Sequence, residues 1–460
     1  MSNSKEAFHA DIIRESSHSI PIGAYATPDA GHYVFLDRTS PYELRYEFNW
    51  MGRSLRSVSA ILPLFAWDER EMAQEQAVEF DGLPDARPLR GEAGIMPSPI
   101  IAHGEGLMHL VVGPVHAGII EPGRFTFSSG GETVVYLDAQ LGYAHRGVER
   151  HLEGLDPIHA AHLIARICGG CSAARSYAYA LALEQLSGVT CSVEIDLVRI
   201  IFAELERIYN HLGDLAACAS AAGWNPGFTH AMGLKERAMR LCAAAGGHRL
   251  LFDAIVPGGV RIAQLDIADH VETLRRDVES YLATLFGNGS VLSRWSGAGV
   301  LSHETASVFG AVGPAYRASG GELDMRTFTT YGAYRMLAPR TARAYAGDAL
   351  ARCEVKRDEL RESLRLLAAA LRLLNGVPVR SQQMHVRVRP GSAIGVVEGP
   401  RGRELVAVQI GRDGKLKRVH IIAASYRNWP LVTRAMDGNI VPDFPLVNKS
   451  FNLCYACADR

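Results

Sequence analysis

Eight cysteines carry most of the chemistry open to this sequence, and four of them form two pairs. Cys168 and Cys171 stand in Arg166-Ile167-Cys168-Gly169-Gly170-Cys171-Ser172. Cys454 and Cys457 stand in Asn452-Leu453-Cys454-Tyr455-Ala456-Cys457, close to the final Arg460. Two thiols on one turn present two soft donors together, and soft donors suit zinc, an iron–sulfur cluster or another soft transition metal far better than magnesium or calcium. Zinc ribbons usually hold their pairs ~15–20 residues apart, whereas these lie mid-chain and at the tail. A thioredoxin-like dithiol would need a βαβ pattern that neither pair follows. Spacing therefore leaves both a four-thiolate cluster and a soft transition-metal site open. Gly169 and Gly170 keep the backbone bare between the first thiols, and Ser172 is expected to cap the helix that follows. A tail without periodicity is ordered only when something ties it down, and a metal shared by both pairs would do so. The single cysteines, Cys191, Cys218, Cys242 and Cys353, sit in mostly apolar sequence and read as small core residues.

The chain that must bring these pairs together has 460 residues, enough for several domains or for one large core with an appendage. Its 48 basic and 49 acidic side chains leave a net charge of −1, which excludes a strongly basic nucleic-acid footprint. An apolar share of 48% supports a sizeable core and argues against disorder. No apolar run reaches the ~18 residues a membrane span needs. The stretch from Met1 to Arg14 has no signal-peptide core, so the chain is expected to stay in the cytoplasm unless a partner carries it elsewhere.

Residues 1–30 read as polar and irregular, and residues 31–65 as strands, including Tyr33-Val34-Phe35-Leu36 and Arg56-Ser57-Val58-Ser59-Ala60-Ile61. Pro84, Pro88, Gly91, Gly94, Pro97 and Pro99 mark a linker, with a domain boundary near residue 92. Strands return over 109–138 with Gly130-Gly131 as a hairpin turn, and helical signals dominate from about 150 to 376. Ile201, Leu205, Ile208, Leu212 and Leu215 step by three and four, as do Leu360, Leu364, Leu367, Leu371 and Leu374. Each stripe must be buried against other helices, so a bundle is the simplest core. Gly376-Val377-Pro378 stops the last long helix, and short strands surround Arg412-Asp413-Gly414 over 394–424.

Several motifs carry a family resemblance: Gly113-Pro114-Val115-His116, Glu121-Pro122-Gly123, Gly142-Tyr143-Ala144-His145-Arg146-Gly147-Val148-Glu149, the first cysteine pair, Glu398-Gly399-Pro400-Arg401-Gly402, and Cys454-x-x-Cys457-x-x-Arg460. Over about residues 100–460 the chain resembles the large subunit of nickel–iron hydrogenases. It looks most like the energy-converting group related to respiratory complex I, which includes formate hydrogenlyase large subunits. Trp67-Asp68-Glu69-Arg70-Glu71, Phe80-Asp81-Gly82 and Pro84-Asp85 resemble, in degraded form, the end of the neighbouring complex I subunit; Leu83 replaces a histidine, and Gln74-Glu75-Gln76-Ala77 replaces an Asp-Leu-Phe-Gly run. The resemblance implies an α+β protein: residues 1–92 as a small α/β complex I-like docking domain, and 93–460 as a catalytic domain with a large, mainly helical bundle and peripheral β-hairpins.

The resemblance also implies roles. Cys168 and Cys454 would be terminal nickel ligands. Cys171 and Cys457 would bridge to an iron carrying carbon monoxide and cyanide, a Ni-Fe(CN)2(CO) centre. Dihydrogen would be cleaved heterolytically or evolved there, with Cys454 taking a proton and Glu121 passing it on. Arg401 would overhang the open metal position. His116, His211 and Asp214 would support the ligands from behind, although each also reads as an ordinary structural polar residue. Relatives bind magnesium through the glutamate at Glu149 and a histidine where Arg460 stands, so Glu149 and Arg460 are expected to attract one another directly. Asn452-Leu453 replaces the family's Asp-Pro. The chain ends where many relatives carry an extension removed after nickel insertion, so either no processing is needed or this is the mature form.

On this reading the protein is a nickel–iron hydrogenase, an oxidoreductase acting on dihydrogen or protons, peripheral on the cytoplasmic face of the inner membrane. Electrons must leave, so a small partner subunit with a four-iron–four-sulfur cluster is expected. A ferredoxin-like subunit, membrane subunits and a formate dehydrogenase join it in the family's assemblies, and no nucleic acid is expected. The competing reading is a metal-free complex I-like quinone-reducing or coupling subunit, favoured by Tyr331, Tyr334 and Gly313-Pro314-Ala315-Tyr316-Arg317, but that class has no use for four cysteines here. A structural zinc scaffold would need only a tetrahedral site.

Overall fold

The computed structural model describes residues 5–27, 30–37, 54–91, 95–117, 120–375, 377, 381–384 and 386–460. The architecture is the α+β arrangement expected from the sequence, and the helix Val193–Ala221 is its axis. Ser192 caps that helix by accepting from the Ile195 amide, and Glu194 and Asp196 sit at the positive end of its dipole. Its stripe, Ile201, Leu205, Ile208, Leu212 and Leu215, is completely buried. The helices Asn225–Gly246, Ala349–Leu373 and Phe444–Phe451 pack on it, and Ala268–Phe286 closes the bundle. Leu360, Leu364 and Leu367 supply the facing stripe of Ala349–Leu373, whose Asp348 cap accepts from the Ala351 amide at 2.7 Å. Truncating one such leucine to alanine would cost ~2–5 kcal/mol through lost burial and the cavity left behind.

Of the three three-stranded antiparallel sheets among the described residues, two position the site. In one, Gly391–Gly399, Gly402–Ile410 and Leu416–Ile422 form a meander, with Gly399 opposite Gly402 across a tight turn that presents Arg401. This sheet lies on the helix Ser172–Ser187, so closely that a Cβ on Gly395 would meet the Ala178 carbonyl oxygen at 1.8 Å. Arg401 is thereby delivered beside the first cysteine pair. In the other sheet, Leu107–Val112, Arg124–Gly130 and Thr133–Gln140 turn at Gly130-Gly131. Phe125 and Phe127 pack there against Trp429, Phe444 and Tyr455 in a second core.

Three local expectations change. The described part of residues 1–30 is not irregular: helix Lys5–Ser16 precedes strand Ile20–Ala26, which pairs antiparallel with Gly31–Leu36. The strand at Arg56 stops there, because the buried Glu69 carboxylate captures the Val58 amide at 2.9 Å and the Ser57 hydroxyl at 2.5 Å and bends the chain away. Part of the 31–65 span, together with positions 92, 94, 376 and 378, lies outside the described residues. The proline-rich stretch is a fastened strap, not a free linker. Arg87 bonds Asp138 at 2.9 Å, and Arg90 reaches Glu71 and Glu75 in the helix Ala66–Gln76. That helix is joined to the core in turn, through Asp68 to Arg427 at 2.9 Å and Glu75 to Arg418.

Candidate metal centre

The first cysteine pair occupies the loop between helices Pro157–Ala165 and Ser172–Ser187. The second follows helix Phe444–Phe451, where Asn452 takes a left-handed conformation (φ 49°) and turns the chain. The fold brings them face to face. Cys168 Sγ lies 3.2 Å from Cys454 Sγ, and the sulfurs of Cys168, Cys454 and Cys457 all lie within 4.8 Å of one another. Cys171 joins through contacts with Cys168 and Cys457. Hydrogen bonds from Cys168, Cys171 and Cys454 lower the Cys457 thiol below its usual range.

The loops are clamped by backbone-directed side chains. Tyr209 and Asn210 of the axial helix donate to the Gly169 and Gly170 carbonyls at 2.7 and 2.9 Å. Ser172 does not cap its helix, and its buried hydroxyl has no partner. The cap comes from the axial helix: the Glu206 carboxyl accepts from the Ala173 and Ala174 amides at 2.7 and 3.0 Å. Burial pushes Glu206 up to about 8, against the lowering by those two amides. The Gly142–Glu149 motif holds the tail. Asp459 accepts from the Gly142 and Ala144 amides at 2.7 and 2.9 Å, and the Arg146 amide donates to the Arg460 carbonyl at 2.8 Å. The Arg146 guanidinium also donates to the Ile167 carbonyl, so one motif grips the approaches to both pairs.

Two guanidiniums face the sulfurs. Arg401 Nη1 lies 3.5 Å from Cys171 Sγ and its Nε donates to the Asn452 carbonyl at 2.5 Å. Gly170 makes this possible, since a Cβ there would meet Arg401 Nη1 at 2.9 Å. Arg175, fully buried, donates to Cys457 Sγ at 3.1 Å and to Glu404 at 2.9 Å, while its Nε and Nη1 have no protein partner. Burial raises Glu404 to about 7 despite Arg175. Sequence reasoning missed Arg175, Glu206 and Glu404. Arg175 could have been found: it stands one helical turn after Cys171 in an otherwise small and apolar run.

The other expected residues take distinct places. Glu121 is exposed and its Oε2 accepts from the Ala456 amide at 2.7 Å, between the two tail cysteines. His116 contacts the Gly123 carbonyl at 2.8 Å and so braces the turn after Glu121. His211 lies 2.9 Å from Glu359. Asp214 pairs with Lys356 at 2.7 Å and receives the Asn452 amide group, so it holds the turn before Cys454. Burial would raise Asp214, but Lys356 keeps it well below the carboxylate range. Arg460 is completely buried, 3.1 Å from Glu149, in contact with Glu71 and 4.7 Å from the Tyr426 ring centre. Glu149 also accepts from the Ile421 amide at 2.7 Å. Tyr331 and Tyr334 are buried: Tyr331 accepts from the Glu398 amide, and Tyr334 donates to Glu204 at 2.5 Å. Arg317 is buried between Glu359 and Glu398. Of the single cysteines, Cys218, Cys242 and Cys353 are buried, whereas Cys191 is partly exposed.

Four convergent thiols, mostly buried and flanked by two guanidiniums with hydrogen-bonding capacity left over, fit a soft metal centre whose other ligands are small and anionic. The profile of the family described as respiratory-chain NADH dehydrogenase, 49 Kd subunit, matches residues 222–390 and 381–460. Formate hydrogenlyase subunit 5 of Escherichia coli (strain K12) is 29% identical over 439 residues, covering 88% of this chain and 76% of that protein. The membrane-bound hydrogenase subunit alpha of Pyrococcus furiosus is 29% identical, covering 76% and 86%. An NADH-quinone oxidoreductase subunit of Bacteroides thetaiotaomicron is 30% identical, covering 84% and 73%. A chain in the solved structure of the membrane-bound sulfane sulfur reductase, an archaeal respiratory membrane complex, superposes with a TM-score of 0.71 at 27% identity, covering 77% of this chain and 99% of that one.

Proposed function

Because this chain belongs to the respiratory-chain 49 Kd subunit family, among the complex I-related hydrogenase large subunits, we propose that it is the catalytic subunit of a membrane-associated nickel–iron hydrogenase. The observation that carries this reading is the convergence of Cys168, Cys171, Cys454 and Cys457 from mid-chain and tail. Cys168 and Cys454 would be the terminal nickel ligands, and Cys171 and Cys457 the bridging ones. The bound nickel–iron pair would supply the Lewis acidity that polarises dihydrogen for heterolytic cleavage. Arg401 beside Cys171 and Arg175 beside Cys457 suit anionic ligands on the iron side.

The protein's own part is to position ligands and move a proton. Cys454 takes the proton at its sulfur. Glu121, bonded through Oε2 to the next turn of the tail, keeps Oε1 for relaying it outward. The neighbouring surface carries Met108, Leu110, Val111, Val115 and Ile120, all substantially exposed. Such an apolar fringe suits a partner subunit, here the small subunit with a four-iron–four-sulfur cluster. Residues 1–92 would serve as a docking unit toward a ferredoxin-like subunit, membrane subunits or a formate dehydrogenase. No helix among the described residues is long and apolar enough to cross a membrane, so attachment to the cytoplasmic face of the membrane would run through partners.

The similarity to NADH-quinone oxidoreductase subunits favours a metal-free coupling subunit as the second reading. Against it stand the four converging thiols and the burial of Tyr331 and Tyr334 within bonded networks. Metal analysis of the anaerobically purified complex, with a viologen-linked hydrogen assay, decides. Nickel and iron in near-equal amounts with hydrogen turnover are expected. Zinc alone, or no metal, would overturn the proposal.

A further inference from the structure

A cleft of about 780 Å³ opens between the N-terminal strand Ile20–Ala26 and the short helices around His303 and Tyr316, away from the cysteines. Its walls mix polar and apolar surface about evenly, with Leu64, Ala311, Tyr316, Leu323 and Phe328 forming the apolar part. Glu322 at its rim is largely exposed and pairs with Arg343. One charged group lines it from inside, Arg403 on the strand Gly402–Ile410, which is only 7% exposed.

The situation of Arg403 is unusual. Among the described residues its one hydrogen bond goes to the Ile22 carbonyl at 3.3 Å. The carboxylates that act on it electrostatically, Glu398 and Asp68, are already engaged, Glu398 with Arg317 at 2.8 Å and Asp68 with Arg427 at 2.9 Å. Arg427 adds like charge. Arg403 is itself among the residues that line the cleft. Burial, reinforced by Arg427, depresses this guanidinium to about 9. A guanidinium forks naturally onto a carboxylate, and a desolvated one without a partner leaves that interaction unmade.

We propose that this cleft binds a small organic carboxylate, its head group paired with Arg403 and its apolar body lying along Leu64, Tyr316, Leu323 and Phe328. The inference is independent of the four-cysteine reading, since no residue of that centre lines the cleft. Isothermal titration of the full chain, in its complex, with octanoate and benzoate tests it, with octanol and inorganic phosphate as controls. Octanoate is expected to bind one-to-one, with octanol and phosphate at least tenfold weaker. Arg403→Met should weaken octanoate at least tenfold while unfolding at or above the wild-type temperature. Ser307→Trp, which fills the cleft and leaves Arg403 in place, should also abolish binding. Absence of saturable binding, equal affinity in Arg403→Met, or phosphate binding as tightly as octanoate (an adventitious ion only) would overturn the proposal. An Arg403→Met protein melting several degrees lower would make the guanidinium a structural anchor and overturn it equally.

Discussion

Replacing Arg460 with methionine should loosen the tail that carries Cys454 and Cys457. The guanidinium is fully buried between Glu149 and Glu71, which are 5% and 2% exposed as side chains. Removing one partner of a buried pair leaves an uncompensated charge and costs ~3–5 kcal/mol. Here Glu71 keeps Arg90 and Glu149 keeps the Ile421 amide, which points to the lower end of that range. Burial alone would raise Glu71, yet Arg460 and Arg90 hold it at about 2, below its ordinary 4.5. The expected loss is therefore ~3 kcal/mol. With ~2.1 cal/mol/K of unfolding entropy per residue, such a loss lowers Tm by ~3 °C in a chain of this length. Both carboxylates have depressed folded-state pKa values, so their stabilisation is complete above the unfolded value near 4.5 and disappears as pH falls toward 2. The penalty of Arg460→Met should accordingly be full at pH 7 and shrink below pH 4.5. Thermal unfolding at both pH values, with nickel and iron content by mass spectrometry, measures it. Adding Glu71→Gln to Arg460→Met should restore about half of the lost stability in a double-mutant cycle. A variant that melts within 1 °C of wild type (roughly 1 kcal/mol on the same scale) and keeps its metals would refute the reasoning.

Further expectations concern the centre and its supports. Cys454→Ser should lose nickel and hydrogen turnover together, while Cys242→Ala leaves both intact, as paired metal analysis and activity assays would reveal. Glu121→Gln should lower turnover ~10²–10⁴-fold with metal content unchanged, and a variant losing metals instead would make Glu121 structural. Because Arg460 already neutralises Glu149 and Glu71, chelation of magnesium should leave Tm unchanged, and a clear drop would show that a cation shares the site. Glu206→Ala removes the carboxyl that accepts two amides at the start of helix Ser172–Ser187. It should cost ~0.5–2 kcal/mol in denaturant unfolding, whereas Ser172→Ala should be nearly neutral.

Local patterns were legible without a structure. The three- and four-residue steps of Ile201 to Leu215 and Leu360 to Leu374 are imposed by helical geometry on any stripe that must be buried, and both stripes are buried. Gly130-Gly131 and Arg412-Asp413-Gly414 announced their turns for the same local reason. The two thiol pairs were visible as soft-donor chemistry because the spacing of C-x-x-C places both sulfurs on one turn. The Arg56 strand failed because a distant carboxylate, Glu69, displaced sheet pairing at the backbone. The Ser172 cap failed likewise, since Glu206 from another helix reached the free amides first.

What the amino-acid order determined was therefore the inventory: which thiols stand together, which helices have a face to hide, and where the chain turns. Tertiary structure alone decided the meeting of Cys168 with Cys454, the pairing of Arg460 with Glu71 and the unclaimed charge of Arg403 in its cleft. Periodicity is a property of neighbours along a chain. The partner of a buried charge is settled by which distant groups the packed core leaves within ~4 Å of it, where low polarity makes each pairing or its absence count heavily.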